Sequence, residues 1–177
     1  ADGAKRNPDG EVFMKNRETD EWLTQNERST RNFIRKWGHF VKHDTLLKPI
    51  IPPKYNIGFV IKNCNEQLLE LLEPWCSAIY VDTFAEDYIS KEQPNTLYDL
   101  NDRIFSIDVD VQNDIEVRFD GNKFTQNSFN IIQQLSEILT NDEGIEDDTV
   151  GSFELDIFEI MIYNTKTHEE ELIKCVR

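Results

Sequence analysis

Residues 55–82 read YNIGFVIKNCNEQLLELLEPWCSAIYVD, and this stretch decides the fold. The run YNIGFVIKN is short, continuous and apolar, the pattern of a strand buried on both faces. CNEQLLELLEPW then carries leucines at helical spacing and is ended by Pro74, which cannot continue a helix. SAIYVD is a second apolar strand. Strand, helix and strand within about 28 residues predict a βαβ unit with parallel strands and a right-handed crossover. The turn after the first strand, KNCNEQ, holds no glycine loop, so a phosphate cradle of the P-loop or GxGxxG kind is not expected there.

A second, looser unit spans 113–163 on the C-terminal side. NDIEVRF predicts a strand, DGNK a turn, and TQNSFNIIQQLSEILTND a helix with Thr125 as N-cap. Phe129, Ile132, Leu135, Ile138 and Leu139 supply the apolar face of that helix. SFELDIFEIMIYN alternates as one long strand, but its apolar phase slips between Ile157 and Phe158, which predicts a bulge or a change of face. NDEGIEDDTVG, between helix and strand, reads as an acidic surface loop, and THEEELIKCVR as a short helix or frayed tail. The expected class is α/β, with βαβ units forming a mixed or parallel sheet and a helical N-terminal segment.

The N-terminal side is different in character. NPDG at 7–10 is a turn signal, and helical spacing begins near Asp20. Phe33, Ile34, Trp37, Phe40 and Val41 line one helical face, with Arg28, Arg31, Arg35, Lys36 and Lys42 around the rest. Gly38 inside that pattern costs about 1 kcal/mol relative to Ala and marks a break or a close helix approach. KPIIPPKY, with three prolines in residues 49–53, reads as a stiff connector. The expected division is therefore a basic helical segment at 1–54 and an acidic α/β domain at 55–177.

Charge sharpens that division. Residues 1–54 hold 11 Lys/Arg against 8 Asp/Glu, a balance of +3, and residues 55–177 hold 8 against 26, a balance of −18. Two readings stand side by side. Either the first third meets an anionic ligand or surface through Arg28, Arg31 and Arg35, or the two regions pair with each other. If they pair, the helix docks either by charge or by burying Phe33, Trp37 and Phe40, which leaves its basic residues facing solvent or an anionic ligand. Nucleic acid is not an expected partner, because the −18 remainder opposes a polyanion.

The 177-residue chain is 38% apolar, enough for a real core, and its longest apolar runs are about five residues, far short of a membrane span. ADGAKRNPDG has neither Met nor an apolar signal core and reads as the start of a fragment. Cys64, Cys76 and Cys175 are an odd, sparse set, which points to reduced thiols and a cytoplasmic setting. His39 and His43 stand at i, i+4, but position 40 is Phe where an HExxH motif needs Glu, so solvent-facing histidines are expected. In IDVDV, Asp108 and Asp110 have DxD spacing. On a strand both carboxylates point one way and are able to share a Mg²⁺ or Mn²⁺ ion beside a phosphate. No GxSxG elbow is present, and no catalytic residue is identified.

One phrase carries a family resemblance. NERSTRNFIRKWG, through Asn32, Phe33, Lys36, Trp37 and Gly38, resembles the C-terminal end of family-two-like, GT-A-fold glycosyltransferases. The resemblance covers about 20 residues and lies in a packing element. It implies sugar transfer from a nucleotide-sugar in surface polysaccharide synthesis, with Arg28, Arg31 and Arg35 facing the sugar-diphosphate or an anionic membrane surface. In that family the DxD lies upstream of this helix, whereas Asp108 and Asp110 lie downstream. The alternative from another class is a non-catalytic α/β module whose acidic surface binds a protein partner.

Overall fold

The computed structural model describes residues 19–141 and 151–164. The expected turn at 7–10, the acidic loop over 142–150, the C-terminal segment from 165 and Cys175 lie outside the described residues. Among the described residues there are four α-helices, α1 (Asp20–Trp37), α2 (Glu66–Leu72), α3 (Glu86–Glu92) and α4 (Gln126–Asn141). The strands are β1 (Lys42–His43), β2 (Pro49–Ile50), β3 (Ile57–Lys62), β4 (Ala78–Val81), β5 (Ile104–Ser106), β6 (Ile115–Asp120), β7 (Gly151–Leu155) and β8 (Phe158–Ile162). β1 and β2 form a separate hairpin, and the other six make one mixed sheet in the order β5-β4-β3-β6-β8-β7. The protein is an α/β fold.

β3 lies between parallel neighbours β4 and β6, and β5 adds in parallel outside β4. Five of the six β3 residues are buried, as a strand covered on both faces requires. Phe59 and Ile61 join Ile79, Val81 and Val117 under apolar side chains from all four helices, so the helices cover one face. On the opposite face Val60, Ala78 and Tyr80 are covered by Ile107 and Val111 of the β5–β6 connection. Among the described residues no helix packs on that side. Asn65 caps α2, accepting from the Leu68 N–H at 2.8 Å, while Leu68, Leu69 and Leu72 anchor it to the sheet. Burying each contributes about 1.5–3 kcal/mol. Thr125 and Ser128 cap α4 reciprocally: Thr125 Oγ1 accepts from Ser128 N at 3.2 Å and Ser128 Oγ accepts from Thr125 N at 3.3 Å.

Four expectations are corrected. α1 stops at Trp37, because Gly38 adopts φ 77° and its N–H closes on Ile34 O at 2.7 Å. The stripe from Phe33 to Val41 therefore does not line a single helix, and Phe40 and Val41 are exposed. KPIIPPKY is more than a connector, since Pro49–Ile50 pairs with Lys42–His43. The second unit is not βαβ: after α4 the chain returns as β7 and β8, with β8 antiparallel to β6. The phase slip at Ile157–Phe158 is a hairpin, in which Leu155 pairs with Phe158 across a two-residue turn and Asp156 takes φ 55°. Among the described residues no helix is long and apolar enough to cross a membrane.

Candidate functional site

α1 docks through charge that is buried. Arg35 Nη2 donates to Glu73 Oε2 at 2.6 Å and to Glu92 Oε1 at 2.8 Å, with both partner side chains buried beside it. Arg31 grips Glu92 with two hydrogen bonds, at 2.9 and 2.8 Å. Arg103 reaches Glu73 Oε1 at 2.6 Å, and Tyr88 donates its hydroxyl to Glu73 Oε2 at 3.0 Å. Three guanidinium groups thus surround two carboxylates supplied by the ends of α2 and α3. Burial disfavours the charged form of each carboxylate, but the hydrogen bonds from Arg35 and its neighbours outweigh it, so Glu73 and Glu92 sit below the usual carboxylate range. Burial works against Arg35 too, and Glu73 and Glu92 overcome it and raise its pKa. Arg31 and Arg35 are therefore occupied internally. The expectation that they face an anionic ligand does not describe them: Arg35 is buried together with Ile34, and Arg31 is half-buried.

Arg28 has a different position. Residues 28, 32 and 36 recur every four along α1 and so share one face. That face meets the loop after α3, where Arg28 Nε and Asn32 Nδ2 both donate to Asn95 O, at 3.1 and 2.8 Å. Thr96 Oγ1 accepts from Tyr98 N at 3.2 Å and Gln93 Nε2 donates to Tyr98 O at 2.8 Å, which shapes the loop. Between helix and loop opens a cavity of about 420 Å³ lined by Arg28, Asn32, Lys36, Thr96, Leu97 and Tyr98. Among the described residues two cations line it and no carboxylate does. Lys36 Nζ lies 5.0 Å from the Trp37 ring centroid, and Arg103 stacks over Tyr98 at 5.3 Å. The arrangement suits an anion carrying a flat or apolar group.

A second cavity, about 480 Å³, opens at the carboxyl ends of β4 and β5, where ligands of open α/β sheets commonly sit. Its polar lining is acidic, with Asp82, Glu86 and Asp108, and Phe84 beside them is 90% exposed. Asp82 accepts from the N–H groups of Asn63 and Cys64 at 2.7 and 2.9 Å. A carboxylate thus occupies the turn after β3 where a phosphate loop would hold phosphate.

The DxD premise is corrected as well. β5 ends at Ser106, and Val109 N bonds back to Ser106 O at 3.1 Å, so Asp108 and Asp110 lie on a turn and not on a strand. Asp108 lines the acidic cavity and Asp110 a separate one beside Tyr80 and Phe105. Among the described residues no group of three or more His, Cys, Asp or Glu is placed to hold a metal ion. The histidine pair is split by the end of α1: His39 is buried with Nδ1 on the Phe40 carbonyl, and His43 is exposed in β1. Burial pushes the Cys64 and Cys76 thiols up to about 12, with Asp82 adding to the effect at Cys64. Neither is a thiolate near neutral pH, which fits inert core cysteines.

Sequence reasoning missed Tyr98 and Thr96, which lie in a segment without periodicity, and missed the carboxylate partners of Arg31 and Arg35. Comparison with protein-family models, curated proteins and solved structures finds no match to this chain.

Proposed function

We propose that this chain is a glycosyltransferase-related protein whose α1 cavity receives the diphosphate of a nucleotide-sugar used in surface polysaccharide synthesis. The observation that carries this reading is a carboxylate-free lining with two cations, Arg28 and Lys36, in a chain of net charge −15. Arg28 supplies a planar donor fork for phosphate oxygens, Lys36 a mobile point charge, and Tyr98 an aromatic face for the base. Asn32 and Lys36 also belong to the Asn-Phe-Lys-Trp-Gly phrase that resembles the transferases.

Thermal unfolding with UDP, GDP, CDP and dTDP tests it. At 100 times Kd, one of them stabilises the protein by about 2.7 kcal/mol, and Arg28→Ala with Lys36→Ala abolishes the shift. No shift with any of the four contradicts the reading. A shift that requires Mn²⁺ would point instead to the acidic cavity that Asp108 lines. The second reading, a non-catalytic protein-interaction module, is favoured by the acidic cavity and the exposed Phe84 ring, which together suit a basic peptide.

A further inference from the structure

The β1–β2 hairpin is built at odds with a purely structural role. Lys42 pairs with Ile50 and His43 with Pro49, and Asp44 closes the ladder, its N–H on Lys48 O at 2.9 Å. Asp44 Oδ1 then accepts from the N–H groups of Leu46 and Lys48, at 2.8 and 2.9 Å, which fixes the three-residue tip Thr45–Leu46–Leu47. Such tips end in a left-handed residue, normally Gly. Here that residue is Leu47, at φ 61°. A leucine in this conformation is strained, and inside the molecule it gains nothing, because Leu47 is 77% and Leu46 74% exposed.

The apolar exposure continues down the ribbon. Val41, Ile50 and Ile51 are also exposed, with Val41 just before β1 and Ile51 just after β2, so the apolar surface reaches the base of the ribbon. A protein interface covers one side of a ribbon, whereas a bilayer surrounds an inserted tip. Charge points to the sign of that bilayer. Residues 42–54 carry three lysines, Lys42, Lys48 and Lys54, against the single carboxylate Asp44, within a chain of −15. Lys42 is tethered to Glu137 of α4 and Lys54 to the carbonyls ending α1, at 2.6 and 3.2 Å, while Lys48 is exposed beside the tip.

We infer that the β1–β2 hairpin is a membrane-docking device that inserts Leu46 and Leu47 into an anionic lipid surface. Neither component suffices alone: one small apolar insertion holds weakly and a few lysines hold weakly, so stable binding takes both. The inference is independent of the nucleotide cavity, which lies on the α1 face toward residues 94–98.

Flotation of the full chain with phosphatidylcholine vesicles, with and without 30% phosphatidylglycerol, tests it. The expected result is flotation with the anionic vesicles about tenfold above the neutral ones, falling steeply as KCl shortens the Debye length. Leu46→Ser with Leu47→Gly removes the flotation. Leu47→Gly alone lowers flotation while raising the melting temperature, because Gly accepts φ 61° without strain; a misfolded variant moves the second readout the other way. Flotation unchanged in these variants, or absent from both vesicle types, overturns the inference. So does a concentration-dependent dimer that the same substitutions abolish, which would assign the tip to self-association.

Discussion

Arg35 shows how a side chain's type misleads about its place. A guanidinium on an amphipathic helix is expected in solvent, yet Arg35 is among the most deeply buried side chains described. Its partners Glu73 and Glu92 stand 38 and 57 residues away, so no local pattern announces them. One signal did exist: Glu73 interrupts the apolar run LLEPW, where a carboxylate needs a partner if it is buried. The three-to-two ratio of Arg to Glu separates two substitutions. Glu73→Gln removes the one carboxylate that Arg35 and Arg103 share, leaving Arg35 with Glu92 and Arg103 with the backbone carbonyls of residues 73 and 76, and costs about 3–5 kcal/mol in urea unfolding, whereas Arg35→Met leaves Arg103 with Glu73 and Arg31 with Glu92 and costs clearly less. Equal losses would contradict a networked cluster. Because both carboxylates titrate below their unfolded value of about 4.3, their contribution is complete above that pH and is lost as pH falls through the lower, folded value. The acid limb of the stability curve therefore flattens in Glu73→Gln.

The elements were legible where periodicity is long and local chemistry agrees with it. β3, α2 and β4 follow from one apolar run, one leucine spacing and Pro74, and α4 follows from Thr125 and a five-residue apolar face. β5 is three residues long, and α3 carries only Tyr88 and Ile89 as apolar residues, too few for a period to stand out; missing β5 placed Asp108 and Asp110 on the wrong geometry. The β7–β8 hairpin was hidden because Asp156 turns the chain without Gly, Asn or Pro, leaving only the phase slip at Phe158. Gly38 was visible as a break, and its φ of 77° explains why. A Cβ there would meet the Lys54 side chain at ordinary contact distances, Cγ at 3.5 Å and Cδ at 3.9 Å, so Gly38→Ala is penalised by backbone strain and not by a clash. Urea denaturation followed by Trp fluorescence is expected to show a loss of about 1–2 kcal/mol. A neutral outcome would place the end of α1 elsewhere.

Across the protein as a unit, the charge split resolves into two destinations. Arg31 and Arg35 of the basic segment answer Glu73 and Glu92 of the acidic domain, which is the pairing that the balances of +3 and −18 allowed. Those pairs are largely shielded from water, so salt screens them little and α1 is fixed firmly against the sheet domain. Arg28 and Lys36 remain on the outer face of the same helix; the sequence grouped Arg28 with Arg31 and Arg35 instead, and the loop that completes the cavity was invisible in it. That fixed helix makes a preformed wall for a ligand. Amide chemical-shift mapping of the uniformly ¹⁵N-labelled chain during titration with UDP, GDP, CDP and dTDP tests the nucleotide assignment most directly. The expected result is perturbation concentrated at residues 28–36 and 94–98, absent in Arg28→Ala; perturbation confined to 81–86 and 104–108, or none with any of the four, would contradict it.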